Sequence, residues 1–133
     1  MATPKLLKSL RQDPQKVEDG VWIEHPESKD RFRVRPAMCS QHAKAYLVAL
    51  QDKADEIGGD AKLSAEQERE VDAISMAVGI VIDWQLAEHP EMEYDANTMA
   101  ALMMDPELEE FQVWIRLQVQ QKQEFRPDEA GND

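Results

Sequence analysis

The sequence predicts a mainly helical α+β domain, in which an N-terminal β-hairpin packs on a bundle of about four helices around a buried central helix. A chain of 133 residues is long enough for one domain with one core. Two short alternating segments predict the hairpin, and apolar residues at helical spacing predict the bundle. The expected parts are a flexible arm at 1–16, the hairpin at 17–36, helices at 38–57, 64–87, 95–104 and 106–123, and a polar tail at 126–133.

The segment 64–87 is expected to be the buried central helix. Only Ser75 and Gly79 interrupt the apolar run from Ala73 to Ile82. Apolar side chains on nearly every side are typical of a helix that is enclosed between layers. Ser64 and Gln67 have the spacing of a capping box, which predicts the start of the helix. The core residues expected here are Ile74, Val78, Ile80, Val81, Ile82 and Trp84.

The arm and the hairpin precede this helix. Residues 1–16 carry an apolar fragment that is too short to be a stable helix alone. In the segment 31–35, alternation places Phe32 and Val34 on one face and three arginines on the other. No later segment has the pattern of a strand. The hairpin is therefore expected to pack on the helices and to leave one edge open for pairing with a second copy of the chain.

The other helices are predicted from their ends and their apolar spacing. The helix at 38–57 stops at Gly58-Gly59. Asp95 is the expected cap of the helix at 95–104, and Asp105-Pro106-Glu107 is a favourable start for the last helix. The apolar stripe expected on the helix at 38–57 consists of Ala43, Tyr46, Leu47, Leu50 and Ala54.

The charge of the chain is strongly acidic. It has 27 acidic and 15 basic residues, and 21 of the acidic residues lie after residue 36. Such a surface repels nucleic acid and anionic membranes, so neither is an expected partner. The acidic residues either solvate the helix faces or favour a basic partner. An acidic inhibitor or decoy that mimics nucleic acid is the alternative function that this charge suggests.

Few residues have the pattern of a catalytic or metal site. Cys39 and His42 lie three residues apart, a spacing that allows a thiolate–imidazole pair on a helix. No orienting carboxylate accompanies them, and a core thiol beside a surface histidine explains the pair equally. His25, His42 and His89 are too scattered for a metal site. We expect a non-catalytic protein without a cofactor or metal, and the lone cysteine fits a reducing compartment.

Methionines and aromatic residues suggest partner binding. Five of the seven methionines lie in the second half of the chain. Flexible thioethers suit surfaces that accept varied apolar partners, although methionine also fills ordinary cores. If the exposed residues line a groove, the groove would take an amphipathic helix. The expected partner-binding residues are Trp22, Phe32, Met99, Met103, Met104, Phe111 and Trp114.

The order of these signals resembles that of the tail assembly chaperones of long-tailed bacteriophages, over roughly residues 17–125. The resemblance rests on Glu18-Asp19-Gly20-Val21-Trp22-Ile23, Arg31-Phe32-Arg33-Val34-Arg35, Asp83-Trp84, Tyr94-Asp95-Ala96-Asn97 and Asp105-Pro106-Glu107-Leu108. It implies a non-catalytic assembly factor in the cytoplasm of the infected bacterial host. The implied partners are the helical tape measure protein, which such chaperones coat, and the tail tube protein, whose subunits they recruit.

Overall fold

Five α-helices and a three-stranded antiparallel sheet make up the described part of the chain, residues 10–59 and 62–128 of a computed structural model. The fold is mainly helical α+β, as predicted. The helices are α1 Pro14–Asp19, α2 Ser40–Glu56, α3 Ala65–Ser75, α4 Ala96–Met104 and α5 Glu109–Gln120, and the strands are β1 Val21–Glu24, β2 Arg31–Val34 and β3 Val81–Gln85. Among these helices, none is both long and apolar enough to cross a membrane.

The predicted central helix is wrong beyond α3. After Ser75 the chain forms a π-helical turn, Met76–Ile80, and then continues as strand β3. Gly79 weakens helix propensity, and the β-branched run that follows favours a strand. An apolar run does not by itself distinguish a buried strand from a buried helix, because both are apolar on every side. The expectation that no later segment forms a strand is therefore also wrong.

Strand β2 lies in the middle of the sheet. It pairs with β1 through Trp22 and Arg33, and with β3 through Phe32 and Trp84. A register irregularity between Arg33 and Val34 interrupts the second pairing. Since β3 occupies the outer side of β2, the only hairpin strand left at an edge of the described sheet is β1.

The core lies between this sheet and the helices. Phe32 and Val34 of β2 are buried together with Met76, Met99, Ile115 and Val119. Of the expected core residues, Ile80, Val81 and Trp84 are buried and Ile82 is half-buried. The expectation is wrong for Ile74 and Val78, which are 38% and 56% exposed. Both line a shallow depression beside Val48 of α2, where the edge of the α2–α3 contact leaves them uncovered.

The two ends of the described chain meet. Asp13 caps α1, so residues 17–19 are helical and β1 begins later than the predicted hairpin. The backbone N–H of Asp13 donates to the carbonyl of Phe125, and Lys16 Nζ donates to the carbonyl of Arg126 and to Asp128. Phe125 is fully buried. The rest of the predicted arm and tail, residues 1–9 and 129–133, lies outside the described residues.

Helix α2 packs on the π-helical turn through small residues. A Cβ atom built on Gly79 would lie 2.7 Å from His42 Cα and 2.9 Å from both Ala45 Cβ and Gln41 O. These distances are shorter than van der Waals contact, so only glycine allows the helix to approach this closely. The atoms of α2 nearest to this position are thus two backbone atoms and one alanine methyl group.

We expect Gly79→Ala to lower the free energy of unfolding by about 2 kcal/mol or more, because the added methyl group displaces α2. Gly58→Ala is the control. No described atom lies within 4 Å of a Cβ built on Gly58, but its φ of 101° disfavours alanine. The expected cost of this control is therefore about 1–2 kcal/mol, from the backbone conformation alone. Urea unfolding of both variants measures the difference. Equal losses would show that the Gly79 contact is not a constraint on packing.

Candidate partner-binding groove

The surface of α2 is unusually apolar for a helix that contributes so little to the core. Of its 17 residues only Ala49 is buried. Tyr46, Leu47 and Val48 are exposed, Leu47 by 64%. The first part of the expected stripe of α2 therefore does not enter the core, since Ala43 also lies at the surface, whereas Leu50 and Ala54 of the same stripe are half-buried. Exposed apolar side chains that cluster on one element are characteristic of interaction sites.

Two adjoining cavities lie along this helix. One, of about 290 Å³, is lined by Ala37, Met38, His42, Asp72, Met76, Ile80, Arg116, Val119 and Gln120. The other, of about 380 Å³, is lined by Met38, His42, Ala43, Tyr46, Leu47 and Asp72. Because they share Met38, His42 and Asp72, they form one depression between α2 and α5, which we call the α2–α5 groove.

The groove has an apolar floor and apolar margins. Met76, Ile80 and Val119 are buried beneath it. Met38, Tyr46 and Leu47 line the groove on the α2 side and are exposed. The site can thus accept apolar side chains.

An ion pair crosses the polar part of the groove. Arg116 Nη2 donates to Asp72 Oδ2 at 2.6 Å, which joins α5 to α3. Both side chains are about 40% exposed. A partly exposed pair of this kind contributes little to stability, at most about 1 kcal/mol. Its charged groups are accessible to a ligand that enters the groove.

His42 holds Met38 in an unfavourable backbone conformation. The backbone N–H of Met38 donates to His42 Nδ1 at 3.0 Å. Met38 has a φ of 66°, in the left-handed region that residues with a Cβ rarely adopt. Its side chain is 77% exposed and lines both cavities. Backbone strain of this type is concentrated at functional sites.

The hydrogen bonds around His42 do not form a nucleophile–base pair. Since Nδ1 accepts from Met38, the neutral ring carries its proton on Nε2, which lies 3.4 Å from Ser75 Oγ. The hydroxyl of Ser75 is fully buried and donates to the carbonyl of Asp72. Cys39 Sγ accepts from the backbone N–H of His42, as the cap of α2, rather than from its ring. These hydrogen bonds fix the positions of Met38 and of the first turn of α2.

A metal centre is not evident either. Within residues 10–59 and 62–128, no group of three or more histidine, cysteine, aspartate or glutamate side chains is placed to hold a metal ion. The α2–α5 groove contains one histidine and one carboxylate from this set, His42 and Asp72. The chemistry that its residues offer is therefore apolar contact, one ion pair and a histidine whose charge depends on pH.

The predicted partner-binding residues lie elsewhere. Phe32, Met99 and Met103 are buried in the core, so the expectation that they line an open groove is wrong. Phe111 and Trp114 pack on Phe32, with ring centroids 5.4 and 6.2 Å away. Trp22 and Met104 are half-buried. Methionine here fills the core, which was the other interpretation of its distribution.

Two features of the groove were not recognised in the sequence. Met38 precedes α2 and belongs to no periodic stripe, and Arg116 looks like an ordinary surface charge. The spacing of Ala43, Tyr46 and Leu47 predicts a helix stripe that packs on the core, whereas these residues lie at the surface. The small residues Ala45 and Ala49, which form a second stripe at i and i+4, were the available signal that another side of α2 faces the core.

Comparisons with known proteins give no relative: no family model, no curated protein and no solved structure matches the chain.

We expect the protein to lose stability as the pH falls below about 6.5, the ordinary pKa of histidine. Burial lowers the pKa of His42, which the nearby charge of Asp72 partly opposes and that of Arg116 reinforces. The unfolded chain therefore binds a proton at a higher pH than the folded chain. The free energy of unfolding is highest above about pH 6.5 and decreases as the pH falls from there to the lowered pKa.

Thermal unfolding between pH 5 and pH 8 tests this dependence. His42→Gln should flatten the decline between pH 6.5 and the lowered pKa, because this titration is removed. An identical decline in the wild type and in His42→Gln would contradict the assignment to His42.

Proposed function

We propose that this protein is a non-catalytic tail assembly chaperone, which binds an apolar helix of the tape measure protein in the α2–α5 groove in the cytoplasm of the infected bacterial host. Recruitment of tail tube subunits belongs to the same role. The observation that carries the proposal is the exposure of Met38, Tyr46 and Leu47 on one side of the groove. The buried side chains of Met76, Ile80 and Val119 form the apolar floor of the adjoining part of the groove.

The geometry of the groove suits an amphipathic helix. Such a helix presents side chains at i, i+3, i+4 and i+7, and these need a continuous apolar depression. The two joined cavities provide one, above the buried side chains of Met76, Ile80 and Val119. The exposed Met38 thioether can adjust to different partner side chains, which a chaperone for a long helical protein requires.

The charge of the molecule supports the same role. Formal net charge is −12, and Asp72 lies in the groove. A complex between this acidic chain and an apolar helix is kept soluble by the charge of the chain. The acidic surface also favours association with a partner helix whose apolar stripe is flanked by basic residues.

The sequence resemblance adds the biological context. The two N-terminal strands, the Asp83-Trp84 pair and the Asp105-Pro106-Glu107 start on which it rests are present, although Asp83 and Trp84 lie in a strand rather than at the end of a helix. The edge strand β1 remains the place where a second copy could pair with the hairpin. The proposed partners are thus a helical client and another molecule of the chaperone.

Co-expression with the tape measure protein of the same genome tests the proposal. We expect a stable complex with the wild-type chain and a loss of about tenfold or more in affinity with Leu47→Asp or Tyr46→Asp, because a carboxylate is then placed in an apolar interface. The affinity of the purified complexes is measured by isothermal titration with a peptide of the captured helix.

The matched control is Val48→Asp. Val48 is the next residue of α2 and is 55% exposed, but it lines the depression with Ile74 and Val78 instead of the groove. All three variants alter exposed residues, so their melting temperatures should stay close to that of the wild type. Absence of a complex, or equal weakening by Val48→Asp and Leu47→Asp, would contradict groove binding.

A further inference from the structure

The face of the sheet that points away from the core carries a cluster of arginines around one tryptophan. Phe32 and Val34 face the core, so alternation places Arg31, Arg33 and Arg35 on the opposite face. Trp22 is the cross-strand partner of Arg33. The guanidinium carbons of Arg31 and Arg33 lie 5.0 and 5.8 Å from the centroid of the Trp22 ring. We call these four residues the arginine face.

None of these arginines forms an ion pair with a carboxylate of residues 10–59 or 62–128. Arg31 donates to the side-chain oxygen of Gln85, and Arg35 donates to the backbone carbonyl of Glu18. Arg33 Nε is buried and has no hydrogen-bond partner among these residues. Each guanidinium has five N–H groups, so most of the donors on this face are not bonded within the described chain. By contrast, Lys16, Lys53 and Arg116 all pair with carboxylates.

Two carboxylates lie close to the arginine face but are not ion-paired with it. Glu24 pairs in register with Arg31, and Asp83 with Arg33. Asp83 Oδ1 instead accepts from the backbone N–H of Trp84. In a chain with 27 acidic residues, unpaired arginines are not explained by a shortage of carboxylates. The cation–π contact with Trp22 keeps the guanidinium groups together without neutralising them.

We propose that the arginine face binds an extended acidic segment of a partner protein. Alternate residues of a strand are about 6.5–7 Å apart, which is also the spacing of alternate side chains in an extended peptide. Carboxylates at alternate positions of that peptide could therefore meet Arg31, Arg33 and Arg35 in turn. Guanidinium groups form two parallel hydrogen bonds with a carboxylate, which gives both strength and orientation.

The charge of the remaining surface favours a short peptide over nucleic acid. Outside the arginine face the chain has 12 basic and 27 acidic residues. A long polyanion that reached the face would also pass this acidic surface and be repelled. A short segment with a few carboxylates contacts only the arginine face and does not reach the acidic surface around it. This face shares no residue with the α2–α5 groove, so the two surfaces can be tested separately.

Fluorescence anisotropy with a labelled peptide of alternating glutamate and serine tests the proposal. The full chain should bind it, and a peptide with glutamine in place of glutamate should bind at least about tenfold more weakly. The double variant Arg31→Gln/Arg33→Gln should also bind the glutamate peptide at least about tenfold more weakly than the wild type does. Raised salt should weaken binding to the wild type, because these contacts are partly exposed.

The control variant is Lys44→Gln/Arg69→Gln, which removes the same formal charge at two exposed sites away from this face. It should bind the peptide within about twofold of the wild type. Circular dichroism establishes that both double variants are folded. Three results would overturn the proposal: equal affinity for the two peptides, equal losses in the two double variants, or tighter arginine-dependent binding of a single-stranded DNA oligonucleotide.

Discussion

The close contact between α2 and Gly79 is the constraint on which the arrangement of both surfaces depends. Because Gly79 has no side chain, the small residues of α2 reach the π-helical turn directly. Helix α2 thereby contacts the turn through Ala45 and the backbone of Gln41 and His42, while Tyr46 and Leu47 stay at the surface. The same turn ends α3 and starts β3, so one short segment closes the sheet and supports the helix that borders the groove.

This arrangement separates stability from binding. The core draws on the sheet, the π-helical turn and the two C-terminal helices, with Val34, Met99 and Ile115 fully buried. Helix α2 contributes only Ala49 to it, and the arginines of β2 lie on the face opposite the core. Substitutions on either surface should therefore leave the fold intact. The groove offers apolar contact and the sheet offers charge, so the two surfaces select different partners.

The fold class and the starts of three helical segments followed from the sequence because caps act locally. Ser64, Asp95 and Asp105 each accept a backbone N–H at the start of a helical segment. The third strand was missed because Val81 and Ile82 continue the apolar run of the π-helical turn without the strict alternation that marks a half-buried strand. The groove was missed for a different reason: its shape depends on contacts between residues far apart in sequence, such as Asp72 with Arg116.

Burial also explains why the predicted binding residues were mostly misplaced. Large apolar side chains such as Met99 and Phe32 look alike in sequence whether they fill a core or bind a partner. The distinction depends on which side of each element is covered, and for α2 that is decided by the absence of a side chain at Gly79. The absence of a side chain at Gly79 therefore helps to decide which side chains of α2 are exposed, and the number of methionines in the sequence does not.

Backbone NMR measurements on the segment 76–87 test the central structural claim most directly. If the π-helical turn converts α3 into β3, the chemical shifts of Val81–Gln85 should be those of a strand, and cross-strand nuclear Overhauser effects should connect Arg33 with Asp83. Helical shifts that continue from Ala65 through Leu86, without contacts to β2, would contradict the sheet, the packing of α2 on Gly79 and the groove that depends on them.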